Sequence, residues 1–261
     1  MNIPCSPNFG VEMSSGTHKQ RAFLERAGLT IAVAGFFVTG YFGVGLSRTA
    51  PSSVELATRL DARIPFIANS VWVYLWIFPT ALIPLFLVKC QRLFRRTALS
   101  YAVAIGVSLG FFILLPITST RLRVAETALD LSHPSHWAVS VVYQLDPPYN
   151  LFPSLHLTIA ILAAFSAWKA KRLYGIAVFL GMVLVGVSVC TVKQHYLLDV
   201  LGGIALAAAT AALFLSPYRP APSVSPAYRW TGPAIYIVFL VLAYAGFYVA
   251  YLISQPRVPT S

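Results

Sequence analysis

The fold is decided by residues 173–199, which read LYGIAVFLGMVLVGVSVCTV followed by KQHYLLD. The first part of this stretch contains no charged side chain, and a helix needs roughly 20 apolar residues to cross a bilayer. We therefore expect residues 173–192 to form a membrane-spanning helix. The stretch continues into Lys193, His195 and Asp199, and ionisable residues at such a depth are rare unless they have a partner or a function.

Similar apolar runs lie on both sides of this one. They are residues 27–46, 67–88, 98–117, 155–168, 198–215 and 234–253. The run at 155–168 is short, but it is uncharged and helical turns can be added at its ends. We expect an all-α fold, a polytopic membrane helix bundle with about seven transmembrane helices.

The composition supports a membrane protein and excludes other classes. Apolar residues make up 57% of the chain and charged residues 10%, with a mean hydropathy of +0.72. A soluble domain contains about 25% charged residues, and a disordered chain is far less apolar. The 19 basic residues exceed the 8 acidic ones, but they lie between the apolar runs, so we expect the bilayer and no nucleic acid as partner.

The distribution of basic residues predicts the orientation. If the N-terminus is cytoplasmic, 12 of the 19 basic residues lie inside, including the dense cluster at 89–96. Basic residues next to spans favour the cytoplasmic side. We therefore expect the N-terminus inside and the C-terminus outside.

These expectations divide the chain into four parts. Residues 1–26 form a cytoplasmic segment, 27–215 the membrane bundle, 216–233 a cytoplasmic linker, and 234–261 the last span with its tail. The bundle includes candidate catalytic motifs at 118–156 and 188–199.

Two segments of the bundle are expected outside the membrane. Residues 51–66 predict a short surface helix. Residues 118–152 form a longer loop with a helical apolar patch that contains Trp137 and Leu145 and is ended by Asp146-Pro147-Pro148.

Two polar clusters are predicted to meet at the outer face. His195 and Asp199 are four residues apart, which places them on one face of a helix, where the carboxylate orients the ring and makes it more basic. The alternative is a purely structural His–Asp pair.

Ser154 is a candidate N-cap, and His156 then lies in the first helical turn, where free N–H groups favour an anion. The alternative is a capped helix with an incidental histidine. Gly202 and Gly203 are expected to allow close helix packing behind Asp199.

These motifs resemble those of the type 2 phosphatidic acid phosphatase superfamily. Pro153-Ser154-Leu155-His156 is similar to its Pro-Ser-Gly-His motif, and His195 with Asp199 to the His and Asp of its last motif. Residues 145–156 and 193–196 are closer to the branch with bacterial phosphatase-like proteins and inositol phosphorylceramide synthases. The resemblance covers roughly residues 60–215.

The chain departs from the family pattern at several positions. Leu155 replaces a glycine, and Val189 stands where the phosphate-binding arginine of the last motif is expected. The Lys and Arg-Pro of the first motif are absent, and Arg121 and Arg123 lie in their place. Lys193 is an additional cation, or alternatively an interfacial lysine whose ammonium reaches water.

The resemblance implies an integral-membrane lipid-phosphate phosphatase, located in a bacterial inner (plasma) membrane with its site facing the periplasm or outside. His195 is then the nucleophile that forms a phosphohistidine, Asp199 orients it, and His156 protonates the leaving oxygen. Ser154, Arg121, Arg123 and Lys193 are expected to bind the phosphate, with no metal and no other cofactor.

One alternative is a head-group phosphotransferase similar to inositol phosphorylceramide synthase, because a diester needs fewer cations. Another is a non-catalytic membrane transporter or scaffold.

Overall fold

In the computed structural model, the protein is an all-α membrane helix bundle, described over residues 15–47, 54–219 and 230–255. Its α-helices in chain order are α1 (Ser15–Leu46), α2 (Val71–Tyr74), α3 (Ile77–Thr80), α4 (Ile83–Leu87), α5 (Gln91–Leu114), α6 (Pro134–Leu145), α7 (Leu155–Ala170), α8 (Arg172–Thr191), α9 (Leu197–Thr210) and α10 (Thr231–Ser254). A single π-helical turn, Ala211–Leu215, extends α9.

Five helices of the described ranges are long and apolar enough to cross a membrane. They are α1 from Gln20, α5, α8, α9 with its π-helical turn, and α10. The predicted membrane bundle is therefore confirmed. The predicted span at 155–168 corresponds to α7, an apolar helix of 16 residues.

The predicted span at residues 67–88 is not one continuous helix. It consists of α2, α3 and α4, and it contains Pro79 and Pro84, which lack the N–H that a continuous helix needs. The segment nevertheless runs along the bundle. The Ile67 N–H donates to the Thr191 carbonyl at the end of α8, and the Phe86 carbonyl packs against Gly232 at the start of α10. Within the described residues, the α2–α4 segment and α7 therefore pack in the bundle together with the five long helices.

The bundle has two chemically different ends. One of them, called the motif end below, contains the predicted site residues Ser154, His156, His195 and Asp199. Helices α1, α5 and α8 end there, and α7 and α9 begin there. At the opposite, basic end, cations bond to helix termini: Arg96 donates to the Phe214 carbonyl at 2.9 Å and Lys169 to the Ser216 carbonyl at 3.1 Å. Cations are favourable beside these carbonyl groups because the helix dipole is negative there.

Helix α7 lies at the centre of the bundle. It packs against α3, α4, α5, α8 and α9, and Leu162, Ala163, Ala164 and Ala167 are fully buried. A helix that is apolar on all sides is expected in such a position. Helices α1 and α10 lie at the periphery, so that most of their apolar surface faces lipid.

The two outer segments differ in how well they follow their patterns. The predicted apolar patch forms α6, which ends at Leu145 before Asp146-Pro147-Pro148, as expected. The helix predicted at 51–66 is wrong for the described part, 54–66, where the structure has only the 3₁₀ turn Asp61–Arg63 and Val54 pairs with Ile117 in an isolated bridge. Residues 51–53, the predicted cytoplasmic segment up to residue 14 and positions 220–229 of the linker lie outside the described residues.

Candidate active site

His195 lies in a tight turn between α8 and α9. The Val189 carbonyl accepts the N–H groups of both Gln194 and His195 at 3.1 Å. Lys193 adopts a left-handed conformation with φ 60°, which for a non-glycine residue costs about 1–2 kcal/mol. His195 therefore precedes α9 instead of sharing a helix with Asp199, and the prediction of a common helical face was wrong.

The turn still brings the His195 ring next to the Asp199 carboxylate. Nδ1 of His195 lies 3.5 Å from Oδ2 of Asp199, and both side chains are almost completely buried. The distance is that of an ion pair, but the geometry is not that of a hydrogen bond. On the opposite side of the ring, Nε2 lies 3.4 Å from the Ser154 hydroxyl. One ring nitrogen therefore faces a carboxylate and the other faces the start of α7.

Asp199 is held in the first turn of α9. Its Oδ2 accepts the Tyr196 N–H at 2.9 Å, while Asp61 accepts the Leu197 N–H at 2.8 Å. A carboxylate is favourable at a helix N-terminus, where the dipole is positive. Burial opposes ionisation of Asp61, but hydrogen bonds from Thr58 and Leu197 outweigh it and hold the pKa of its carboxyl below the ordinary value. Two carboxylates thus fix the start of α9.

Ser154 occupies the N-cap position of α7, as predicted, but its hydroxyl makes no capping hydrogen bond. The hydroxyl faces His195, and the Ser154 N–H donates to the Asp199 carbonyl at 3.0 Å. A Cβ at Gly203 would lie 2.7 Å from the Ser154 carbonyl, so glycine permits this contact between α7 and α9. The predicted close packing at Gly203 is confirmed.

His156 has different surroundings from His195. It lies in the first turn of α7, and its ring makes edge contacts with Phe37, Tyr41 and Phe78 at centroid distances between 5.2 and 5.8 Å. The side chain is 9% exposed. The two histidines are on the same end of the bundle, one beside polar groups and one among aromatic rings.

The three predicted phosphate-binding cations are engaged elsewhere. The Lys193 ammonium donates to the carbonyls of Asp61 and Ile64. Arg123 donates to the carbonyls of Tyr143 and Asp146 at the end of α6.

Arg121 is the most exposed of these cations and lies 3.4 Å from Glu55. Only Arg123 has a buried atom, Nε, without a hydrogen-bond partner in the described part of the chain. Arg123 therefore combines a buried position with an N–H donor that is not engaged by the protein.

The sequence interpretation missed a buried cluster around the Asp146 carboxylate. Asp146 accepts hydrogen bonds from the hydroxyls of Tyr41 and Tyr74 and from the Gln194 amide. In the sequence pattern, Asp146 is interpreted only as the end of a helix. The signals available were a carboxylate directly after an apolar helix and a glutamine directly before His195.

Two apolar cavities meet at His156. One, of about 500 Å³, is bounded by α1, α3, α6 and α10 and contains Asp146 at its polar side. The other, of about 240 Å³, extends between α1 and α5 as far as Leu29 and Phe94. Phe37, Phe78 and His156 line both cavities. The arrangement can place an apolar chain beside the His156 ring.

A comparison with protein-family models covers the part of the chain that contains both histidines. Residues 50–213 match the family model described as the PAP2 superfamily. The match covers more than half of the chain and includes Ser154, His156, His195 and Asp199. No curated protein and no solved structure matches the chain.

Proposed function

The chain belongs to the PAP2 superfamily, and from this premise we propose that it is a lipid-phosphate phosphatase that works through a phosphohistidine at His195. The superfamily supports a membrane enzyme of the phosphatase type that acts on a phosphorylated lipid. The finer assignment depends on one observation. The His195 ring lies between the Asp199 carboxylate and the hydroxyl of Ser154, at the N-terminus of α7.

The reaction proceeds in two balanced steps. In the first, Nε2 of His195 attacks phosphorus, the phosphorus–oxygen bond to the lipid alcohol breaks, and His156 gives its proton to the departing oxygen. In the second, His156 takes a proton from water as the water oxygen attacks the phosphohistidine. Inorganic phosphate leaves and His195 is regenerated. Asp199 stabilises the positive charge that the His195 ring acquires.

The phosphate oxygens are bound by groups at the start of α7. The first N–H groups of a helix have no partner within it and favour an anion, and the Ser154 hydroxyl is a further donor. Arg123 adds positive charge, and its buried Nε has no other hydrogen-bond partner. Arg121 and Lys193 contribute charge at longer range. These groups stabilise the transition state without a metal ion or another cofactor.

The substrate is a lipid whose chain occupies the cavities beside His156. Their walls are almost entirely apolar, and α1 lines both cavities while α10 lines the larger one. A lipid chain that enters the cavities exchanges one apolar surrounding for another, so the complex is stabilised by close packing instead of by removal of the chain from water. The substrate can thus bind from within the membrane, with its phosphate at the motif end.

A head-group phosphotransferase is the second candidate. Val189 provides only its carbonyl at the position where the family pattern has an arginine, and two backbone carbonyls engage the Lys193 ammonium. A singly charged diester needs fewer cations than a doubly charged monoester. An alcohol would then replace water in the second step, as in the inositol phosphorylceramide synthase branch.

We further propose that the motif end faces the outside of a bacterial inner membrane and the basic end faces the cytoplasm. The density of cations at the basic end supports this orientation. Cysteines introduced at positions 132 and 171 should react with a membrane-impermeant reagent only from outside and only from inside, respectively. The reverse pattern would place the site in the cytoplasm.

The decisive experiment is an assay of the purified protein in metal-chelated buffer with a mixture of lipid phosphates. Release of inorganic phosphate by the unmodified protein, and none by His195→Ala, is expected. Phosphate transfer to an added alcohol without release would favour the phosphotransferase. A folded protein that does neither would contradict both activities and favour a non-catalytic membrane protein.

A further inference from the structure

The Asp146 cluster consists of Asp146, Tyr41, Tyr74 and Gln194, and it is buried at the motif end. The Tyr41 hydroxyl donates to Oδ1 of Asp146, while Tyr74 and Gln194 donate to Oδ2 at 3.3 and 2.5 Å. All three donors are neutral. They satisfy the carboxylate oxygens without cancelling their negative charge, so the charge can still act on a nearby cation.

The cluster lies between the two histidines. Gln194 directly precedes His195, and the ring of Tyr41 is 5.2 Å from the ring of His156. Asp146 and His156 also line the same cavity of about 500 Å³. One carboxylate is therefore connected to the turn that holds the nucleophile and lies close to the proton donor.

His156 needs such a charge for the role proposed above. A proton donor must be positively charged when the substrate binds, and a buried cation is costly without an opposite charge. Its ring contacts are aromatic. The ionisable groups around it are Tyr41 on α1, Tyr244 on α10, Asp146 after α6 and His195 in the α8–α9 turn.

Asp146 is the only carboxylate among these groups, and the other charge beside it is Arg123. The Arg123 guanidinium donates to the Asp146 backbone carbonyl and stacks on the Tyr143 ring. Arg123 therefore partly offsets the negative charge of the Asp146 carboxylate without a hydrogen bond to the carboxylate oxygens.

We propose that Asp146 is a positioning residue that keeps His156 protonated and, through Gln194, fixes the turn of His195. The inference rests on the proposed two-histidine reaction and adds to it a residue outside the two histidine motifs. It predicts that loss of the charge acts mainly through the proton donor. A purely structural carboxylate would affect all substrates and all pH values alike.

The test compares Asp146→Asn with the unmodified protein on a lipid alkyl phosphate and on a nitrophenyl phosphate. The amide keeps the shape but loses the charge, so protonation of His156 becomes harder. The alkaline limb of the kcat profile for the alkyl phosphate should move to lower pH by about 1–3 units. Activity on nitrophenyl phosphate, whose leaving group needs little protonation, should fall much less.

Asp61→Asn is the matched control. Asp61 is also a buried carboxylate at the motif end, but it bonds to Thr58 and the Leu197 N–H and lines neither of the cavities at His156. The alkaline limb of the kcat profile of Asp61→Asn should stay in place. A limb that moves equally in both variants would overturn the inference, since it would report general electrostatics of the motif end.

The remaining outcomes are also decisive. Equal losses on both substrates with an unmoved limb would assign Asp146 a structural role. If thermal denaturation shows that Asp146→Asn does not fold, Asp146→Glu is tested in its place, because it keeps the negative charge. An alkaline limb that does not move in Asp146→Glu supports the inference, and a limb that moves to lower pH contradicts it. An inactive unmodified protein would contradict the reaction itself, whereas an active one with an unaffected variant contradicts only the role of Asp146.

Discussion

The two histidines of the motif end lie in opposite kinds of environment. His195 is in a turn tied to the Val189 carbonyl, with Asp199 on one side of its ring and Ser154 on the other. His156 projects from a helix into aromatic side chains and lines two apolar cavities. Residues of the same chemical type thus have polar partners in one case and apolar neighbours in the other.

Such a difference in surroundings allows two side chains of the same type to take different roles. A carboxylate beside one ring nitrogen fixes the tautomer and makes the other nitrogen a better nucleophile. An apolar surrounding excludes water, so that a proton passes to the substrate instead of the solvent. This contrast supports the proposed roles, in which His195 attacks phosphorus and His156 transfers the proton.

The largest expected effect tests the polar side of the comparison. Asp199→Asn should leave a folded protein with kcat lower by about 10⁴-fold, because an amide cannot stabilise the charged ring of His195. The measurement is kcat on a lipid phosphate together with the thermal unfolding temperature in detergent. A folded variant with unchanged kcat would reduce the contact to a structural pair.

The next effect tests the apolar side. His156→Ala should lower activity on a lipid alkyl phosphate by about 10²–10⁴-fold and much less on nitrophenyl phosphate, because a stable leaving group needs little protonation. Kinetic assays on both esters measure the difference. His195→Ala is the comparison variant and should be inactive on both esters, since a leaving group cannot replace a nucleophile.

Equal losses for His156→Ala on the two esters would instead make His156 a phosphate-binding or structural residue. Activity of His195→Ala on the nitrophenyl ester would rule out the phosphohistidine. Either result would remove the contrast between the two histidines.

The smallest effect tests whether a lipid chain lies in the cavity beside His156. Ala243 on α10 lines that cavity, and Ala243→Trp should fill part of it. Overfilling a packed apolar site costs about 1–3 kcal/mol, so kcat/KM for a long-chain lipid phosphate should fall by about tenfold. Activity on a short, water-soluble phosphate should not change.

Ala245→Trp is the control for this substitution. Ala245 is exposed on the same helix and lines neither cavity, so its replacement should affect neither substrate. Equal effects of the two variants would mean that the chain binds elsewhere.

Much of the bundle followed from apolar run length alone. Helix α8 occupies Arg172–Thr191 and the prediction was 173–192, because a long uncharged segment has few alternatives in a membrane. Residues 67–88 deviated at Pro79 and Pro84, where missing N–H donors break the helix but packing against α7 and α8 keeps the segment in place. The pattern at 51–66 was too short to specify a helix without tertiary contacts.

The candidate site was predictable in composition but not in arrangement. Ser154, His156, His195 and Asp199 could be named from motif spacing, and the structure gathers them at one end of the bundle. Their contacts were different from those expected: His195 lies outside the helix of Asp199, and the Ser154 hydroxyl faces a ring instead of capping α7. Residue spacing specifies helical neighbours only where both residues are helical.

Run length and charge distribution are enough to predict the membrane bundle, its basic end and the residue types of the motif end, because hydrophobicity and charge act through local composition. The contacts of each polar group are set instead by the tertiary structure. It engaged Lys193 and Arg123 with backbone carbonyls, surrounded His156 with aromatic rings, and brought Tyr41, Tyr74 and Gln194 to Asp146. Buried polar groups must find partners, and the partners of these groups come from segments that lie between 20 and 132 residues away in the chain.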